Sequence, residues 1–186
     1  MTDKSTSQPP PAWGEVGILQ RRTIEAAIIA PIYAELVAAV GEDVAQSVID
    51  NAIRKAAIAA AENFAAKTVG GTSLQTFQDL QVLWTKDDAL QIEVLRATDT
   101  EFDYNVYRCR YAETYKAMGL GRIGHLLSCN RDAVFCQGYD SRIKMVRTQT
   151  LMGGATHCDF RYTFDASADQ IDEGDVDVST ACGNES

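Results

Sequence analysis

The sequence predicts an α+β fold: an antiparallel sheet built from two hairpins, covered on one side by N-terminal and central helices. Three observations carry this expectation. Apolar residues recur at three- and four-residue steps as far as Leu80, then at every second position from Leu90 to Arg110 and again from Thr156 to Phe164. Helical and extended segments are grouped instead of alternating one by one, which disfavours a parallel sheet. Turn residues stand where hairpins need them, at Thr98-Asp99-Thr100 and at Gly153-Gly154.

Taken in order, residues 1–14 are rich in Ser, Thr and Pro and predict a disordered or extended arm. From Glu15 to Val40 a helix is expected, with Ile24, Ile28 and Ile32 at four-residue steps and Pro31 kinking it or starting a second helix. Gly41 ends it. A second helix is expected over Glu42 to Lys67, opened by two acids that suit the helix dipole. Its Ala-rich stretch, Ala56 to Ala66, reads as high helix propensity, and its small side chains would also suit a close helix pair or an oligomer contact. Thr72 with Gln75 resembles a capping box for a short helix carrying Leu74, Phe77 and Leu80. Leu90 to Arg110 predicts the first hairpin. Tyr111 to Leu127 returns to helix, interrupted by Gly119, Gly121 and Gly124. The second hairpin pairs Ile143–Met152 with Thr156–Phe164; Cys158, Phe160, Tyr162 and Phe164 share one face of its last strand, and His157, Asp159, Arg161 and Thr163 the other.

The chain has 186 residues, enough for one domain with a real core, expected over 15–164. Apolar content of 46% is ordinary for a globular domain. The formal charge of −9 is uneven, because seven acids and no Lys or Arg follow Arg161; without those acids the rest stands at −2. Residues 165–186 therefore read as an acidic disordered tail. No basic patch invites nucleic acid, and no apolar run is expected to reach the roughly 18 residues needed to span a bilayer, so neither is an expected partner. Five cysteines, odd in number and without a CxxC pair, predict free thiols in a reducing cytoplasm.

The densest collection of reactive side chains is Leu127 to Phe164, which holds Cys129, Cys136, Cys158 and His157. No nucleophile elbow, phosphate loop, dinucleotide fingerprint or HExxH motif occurs anywhere. The spacing of Cys129, His157, Cys158 and Asp159 matches no zinc pattern, and neither metal nor cofactor is expected. Cys158 reads either as a nucleophile or, beside Phe160 and Tyr162, as a packed core thiol. Its neighbour His157 should point to the opposite face of the strand. Asp132 reads either as a helix cap or as a general base that positions water or a substrate amine. Arg147 and Arg161, expected on the two strands of the last hairpin, could clamp a carboxylate or form surface ion pairs. Cys109, Cys136, Cys182 and His125 suggest no chemistry.

The runs CRYAETYKAMGL (Cys109 to Leu120), LLSCNRD (Leu126 to Asp132) and RIKMVRTQTLMGGATHCDFRY (Arg142 to Tyr162) resemble the L-2-amino-thiazoline-4-carboxylic acid hydrolase family. The resemblance rests on the order and spacing of Cys-x-Tyr-Ala, Cys-Asn-x-Asp and Gly-x-x-x-Cys-x-Phe, and it is strong from Cys109 to Tyr162. It implies hydrolytic opening of a small ring at a non-peptide carbon–nitrogen bond: a cyclic amidine, isothiourea or cyclic amide carrying a carboxylate. It points to Cys158 as nucleophile and to Asp132 beside it, with attack by a carboxylate-activated water as the other route. Together with the reading of the residues, the expected catalytic groups are Cys158, Asp132 and His157, and the expected substrate-binding groups are Asn130, Arg147, Asp159 and Arg161. The alternative is a non-catalytic domain that binds a small molecule or partner in the same pocket. A homo-oligomer through the Ala-rich helix is the expected assembly.

Overall fold

Two long N-terminal helices, a four-stranded antiparallel sheet and a third helical layer between them make up the computed structural model, which describes residues 16–167. The expected arm, most of the expected tail, and Cys182 lie outside the described residues. Helix α1 spans Ile18–Val40 and α2 spans Glu42–Ala65, and the turn between them is Gly41 alone. Gly41 has φ 84°, a left-handed conformation that lets α2 fold back on α1 within one residue. Pro31 stays inside α1 at an exposed position, and no second helix starts there. α1 carries few charges and buries only Ala26 deeply; among the described residues it is the one helix long and apolar enough, by length and composition, to cross a membrane. The expectation that no apolar run reaches spanning length did not allow for this helix.

α2 buries Ala45, Ile49, Ile53, Ala57 and Ala61, a strict four-residue stripe. Its small members meet α6 (Asn130–Tyr139) so closely that a Cβ on Gly138 would lie 2.4 Å from the Ile58 carbonyl oxygen. The Ala-rich stripe thus serves a close helix pair inside the molecule. Next come the short helices α3 (Leu74–Asp79) and α4 (Gln81–Thr85). The capping box of α3 is made by Ser73 and Thr76, one residue beyond the expected Thr72 and Gln75, because Ser73 is the residue with extended backbone.

Strands β1 (Leu90–Ala97) and β2 (Glu101–Cys109) form the first hairpin, turned over residues 98–100 as expected. α5 (Arg110–Ala117) follows at once, then a turn of π-helix (His125–Cys129) that runs into α6. The single glycine-interrupted helix expected over 111–127 is therefore two pieces. β3 (Ile143–Val146) pairs with β4 (Cys158–Phe164), and β4 also pairs with β2, giving the order β1-β2-β4-β3. β3 ends six residues short of Met152, because the chain leaves the sheet at Arg147 to meet α6.

Apolar side chains pack in two clusters. One joins the inner face of the sheet (Phe102, Tyr104, Val106, Cys158, Phe160 and Tyr162) to α3 and α6. The other joins α1, α2, α5 and the π-helix around Tyr111, Tyr115, Ile123 and Leu127. Leu90 and Cys109 touch both. The alternation expected on β4 holds: Cys158, Phe160 and Tyr162 are buried, and Asp159, Arg161 and Thr163 are less so.

Candidate active site

A partly open cavity of about 100 Å³ lies along the seam between the two clusters. Its walls are aromatic and aliphatic, with Phe77, Trp84, Phe135, Phe160 and Tyr162 among them. Its charged groups are Arg22, Arg131, Asp132 and Arg147, joined by Gln81, Ser128 and the thiols of Cys109, Cys129 and Cys158. A small, largely apolar chamber with a few convergent polar groups suits one small ring.

Asp132 reaches this place because it lies in the first turn of α6, one helical turn before Phe135, which lines the same wall. It does not cap the helix. The cap position is Cys129, and Asp132 receives Arg147 Nη1 at 2.5 Å instead. Arg147 stands just past the end of β3 and is fixed on three sides. Its Nη2 donates to the Cys129 carbonyl at 3.0 Å, and its guanidinium lies over the Phe160 ring at 5.0 Å. Burial raises the carboxyl of Asp132 above the usual carboxylate range, with Arg147, Arg131 and Arg22 pulling it back down. Some 28% of that side chain is accessible, so solvent relieves part of its desolvation.

Cys158 opens β4 with its sulfur on the cavity side. The Leu151 N–H donates to Sγ at 3.2 Å. Burial raises the thiol pKa; the Leu151 N–H and Arg147 oppose that rise, while Asp132 adds to it. Cys129 is pushed up to about 12 and Cys109 to about 11, in both cases chiefly by burial. At neutral pH the three are thiols. The described residues contain no group of three His, Cys, Asp or Glu able to hold a metal ion.

Of the residues singled out in the sequence, the cavity brings together Cys158, Asp132 and Arg147. The other four stand outside its lining. His157 precedes β4 and meets Gln149, Thr156 and the Tyr107 ring. Asn130 donates to Asp50 of α2 at 2.6 Å. Asp159 accepts the N–H groups of Thr148 and Gln149 and the Thr148 hydroxyl, which latches the β3–β4 connection. Arg161 is spent on the sheet, donating to the carbonyls of Tyr104 and Phe160 and to Asn105 Oδ1. Each occupies the strand face or helix face turned from the seam, so the pattern of alternation that puts Cys158 inside puts Asp159 and Arg161 outside.

Arg22 and Arg131 were not singled out by the sequence. Glu25 joins them, accepting from Arg22 at 2.6 Å and from Arg131 at 3.1 Å. A local signal could have found Arg22 and Glu25, an i,i+3 pair on a helix with few charges; nothing local marks Arg131.

A family model described as L-2-amino-thiazoline-4-carboxylic acid hydrolase matches residues 21–162. No curated protein matches the sequence significantly. Among solved structures, the phenol-responsive sensory domain of the transcription activator PoxR with phenol is similar at 12% identity. That match covers 86% of this chain and 87% of that one with a TM-score of 0.50, a likeness of fold. Trafficking protein particle complex subunit 3 from Naegleria fowleri, covalently bound to palmitic acid, aligns at 13% identity over 76% of this chain and 96% of that one, with a TM-score of 0.45.

Proposed function

Because the chain belongs to the L-2-amino-thiazoline-4-carboxylic acid hydrolase family, we propose that it opens a small carboxylated ring at a carbon–nitrogen bond, with Cys158 as nucleophile and Asp132 as its proton acceptor. The observation that carries this reading is the meeting of Cys158, Asp132 and Arg147 in one cavity, reached from three separate elements. Asp132 and Cys158 both have raised pKa values, so passing the thiol proton to the carboxylate removes one buried negative charge as it creates another. Arg147 and the Leu151 N–H then stabilise the thiolate. The sulfur adds to the electron-poor ring carbon. The ring carbon–nitrogen bond breaks, and the leaving nitrogen takes the proton from Asp132. Water then attacks the thio-linked carbon and returns a proton to the departing sulfur. The net change is the gain of one water.

A second reading is a binding domain for a small aromatic molecule. The resting thiol with a raised pKa, the absence of histidine from the lining and the aromatic walls favour it, as does the shared fold with a phenol-responsive domain. One experiment separates the two. Purified protein, without added cofactor, is incubated with a panel of cyclic amidines, isothioureas and lactams and followed by mass spectrometry. Gain of one water on a ring supports the hydrolase; saturable binding without conversion supports the binder and retires the enzyme.

A further inference from the structure

Behind the inner cavity lies a second, more open groove of about 360 Å³ between α1 and α2. The two spaces share Arg22, Ala60 and Arg131, so these three residues stand in the partition, or neck, common to both. The groove carries three guanidiniums, Arg21, Arg22 and Arg131, against the single carboxylate of Glu25. Outside the acidic tail the chain stands at −2, so three arginines gathered on one groove are an uneven placement of charge.

At the neck, Glu25 holds both flanking arginines. Arg22 Nη1 donates to Oε1 at 2.8 Å and to Oε2 at 2.6 Å, and Arg131 Nη2 donates to Oε2 at 3.1 Å. The Arg131 side chain is only 10% exposed and that of Arg22 16%. Arg131 is fixed from behind by Nε donating to the Leu127 carbonyl at 2.8 Å, so its fork points at the neck without freedom to leave. Two nearly buried guanidiniums facing one shared carboxylate form a ready-made anion site, and the present occupant sits on a flexible side chain that is 35% exposed.

We propose that Arg22 and Arg131 are the carboxylate-recognition site of this protein, and that Glu25 is a resident stand-in which the carboxylate of an incoming ring displaces on its way to the inner cavity. The proposal rests on the carboxylated-ring reading above. It adds two binding residues and a gate that excludes neutral rings: only a ligand with its own carboxylate can replace the charge Glu25 gives up. Asp132 and Arg147 lie beyond the neck, so recognition and reaction use different guanidiniums.

The test is calorimetric titration of the full chain with the amino-thiazoline carboxylate of the family name and with its carboxamide. Wild-type protein should prefer the carboxylate. Glu25→Gln removes the competitor and should raise affinity for the carboxylate about tenfold, while the carboxamide changes by less than about twofold. Arg22→Gln should lower carboxylate affinity about tenfold with the same indifference to the carboxamide. Glu25→Asp, which shortens the reach to both arginines, replaces Glu25→Gln if that variant does not fold, and should shift the ratio in the same direction. A carboxylate-to-carboxamide ratio unchanged in either the Glu25 or the Arg22 variant overturns the proposal, as does a wild type with no preference. Turnover is not the readout. A protein that shows these shifts but opens neither ring retires the hydrolase reading alone, and one that opens the ring with an unchanged ratio retires this proposal alone.

Discussion

Cys158 and Asp132 answer to different variants in ways that stability alone cannot imitate. If Cys158 attacks the ring, Cys158→Ser should stay folded and lose turnover by several orders of magnitude, because a hydroxyl is a far weaker nucleophile at neutral pH. If the thiol only fills the wall, Ser costs about 1–3 kcal/mol in stability and spares the rate. Asp132→Asn should lower turnover by roughly 10²–10⁴, read alongside a thermal melt. The pH dependence of folding has a definite sign here. The Asp132 pKa is raised in the folded state, so the native protein holds its proton longer than the unfolded chain does. Its contribution is fully present below the unfolded value and is lost as pH rises through the folded one. Asp140 and Asp159 behave oppositely. Burial alone would raise both, but the Arg142 contact of Asp140 and the Thr148 and Gln149 donors of Asp159 lower them. Their stabilisation is present above the ordinary carboxylate value and disappears as pH falls through the depressed one. Urea midpoints measured from neutral pH downward should therefore fall most steeply below about pH 4, and Asp159→Asn should flatten that limb. Single residues also show what the sequence could disclose. Cys158 was legible as inward-facing because strand alternation is strict. Arg131 was not, because its partner Glu25 lies 106 positions away and only the packing of α1 on the central helices brings them together.

Among the elements, the α2–α6 contact and the β3–β4 connection set the shape of the site. α6 carries Asp132 and Phe135, so its distance from α2 decides where the cavity floor lies. Gly138→Ala should cost roughly 2–4 kcal/mol, since overpacking against a backbone carbonyl cannot be relieved by turning a side chain. Urea denaturation measures this; a loss under about 0.5 kcal/mol would mean that the helices part easily. The β3–β4 connection delivers Arg147 and the Leu151 N–H to the site and is latched by Asp159. Asp159→Ala should reduce turnover about tenfold or more by letting those donors drift, with faster amide exchange at Thr148 and Gln149 as the independent sign. The elements themselves were largely legible. α1, α2 and the first hairpin follow from periodicity and turn residues. The second hairpin was misjudged as tight because Gly153-Gly154 resembles a two-residue turn, whereas those glycines lie in a longer loop that Asp159 and Thr150 organise. The π-helical turn before α6 leaves no periodic signature in five residues.

For the molecule as a whole, removal of residues 1–12 and 168–186 should leave melting temperature and turnover nearly unchanged, because both segments are poor in apolar side chains. A large loss in the truncated protein would show that one of them docks on the domain. The position of the cavity has a further consequence. Each cluster of the core has its own helices or strands, and the seam between them is the place where neither fills space completely. By the proposed reading, a ring seated there would be a keystone, bridging α1, α6 and β4, which all line the cavity. The empty domain should open along that joint first, with amide protons of α1 exchanging ahead of those of β2 and β4. The filled one should release them together, in a single event.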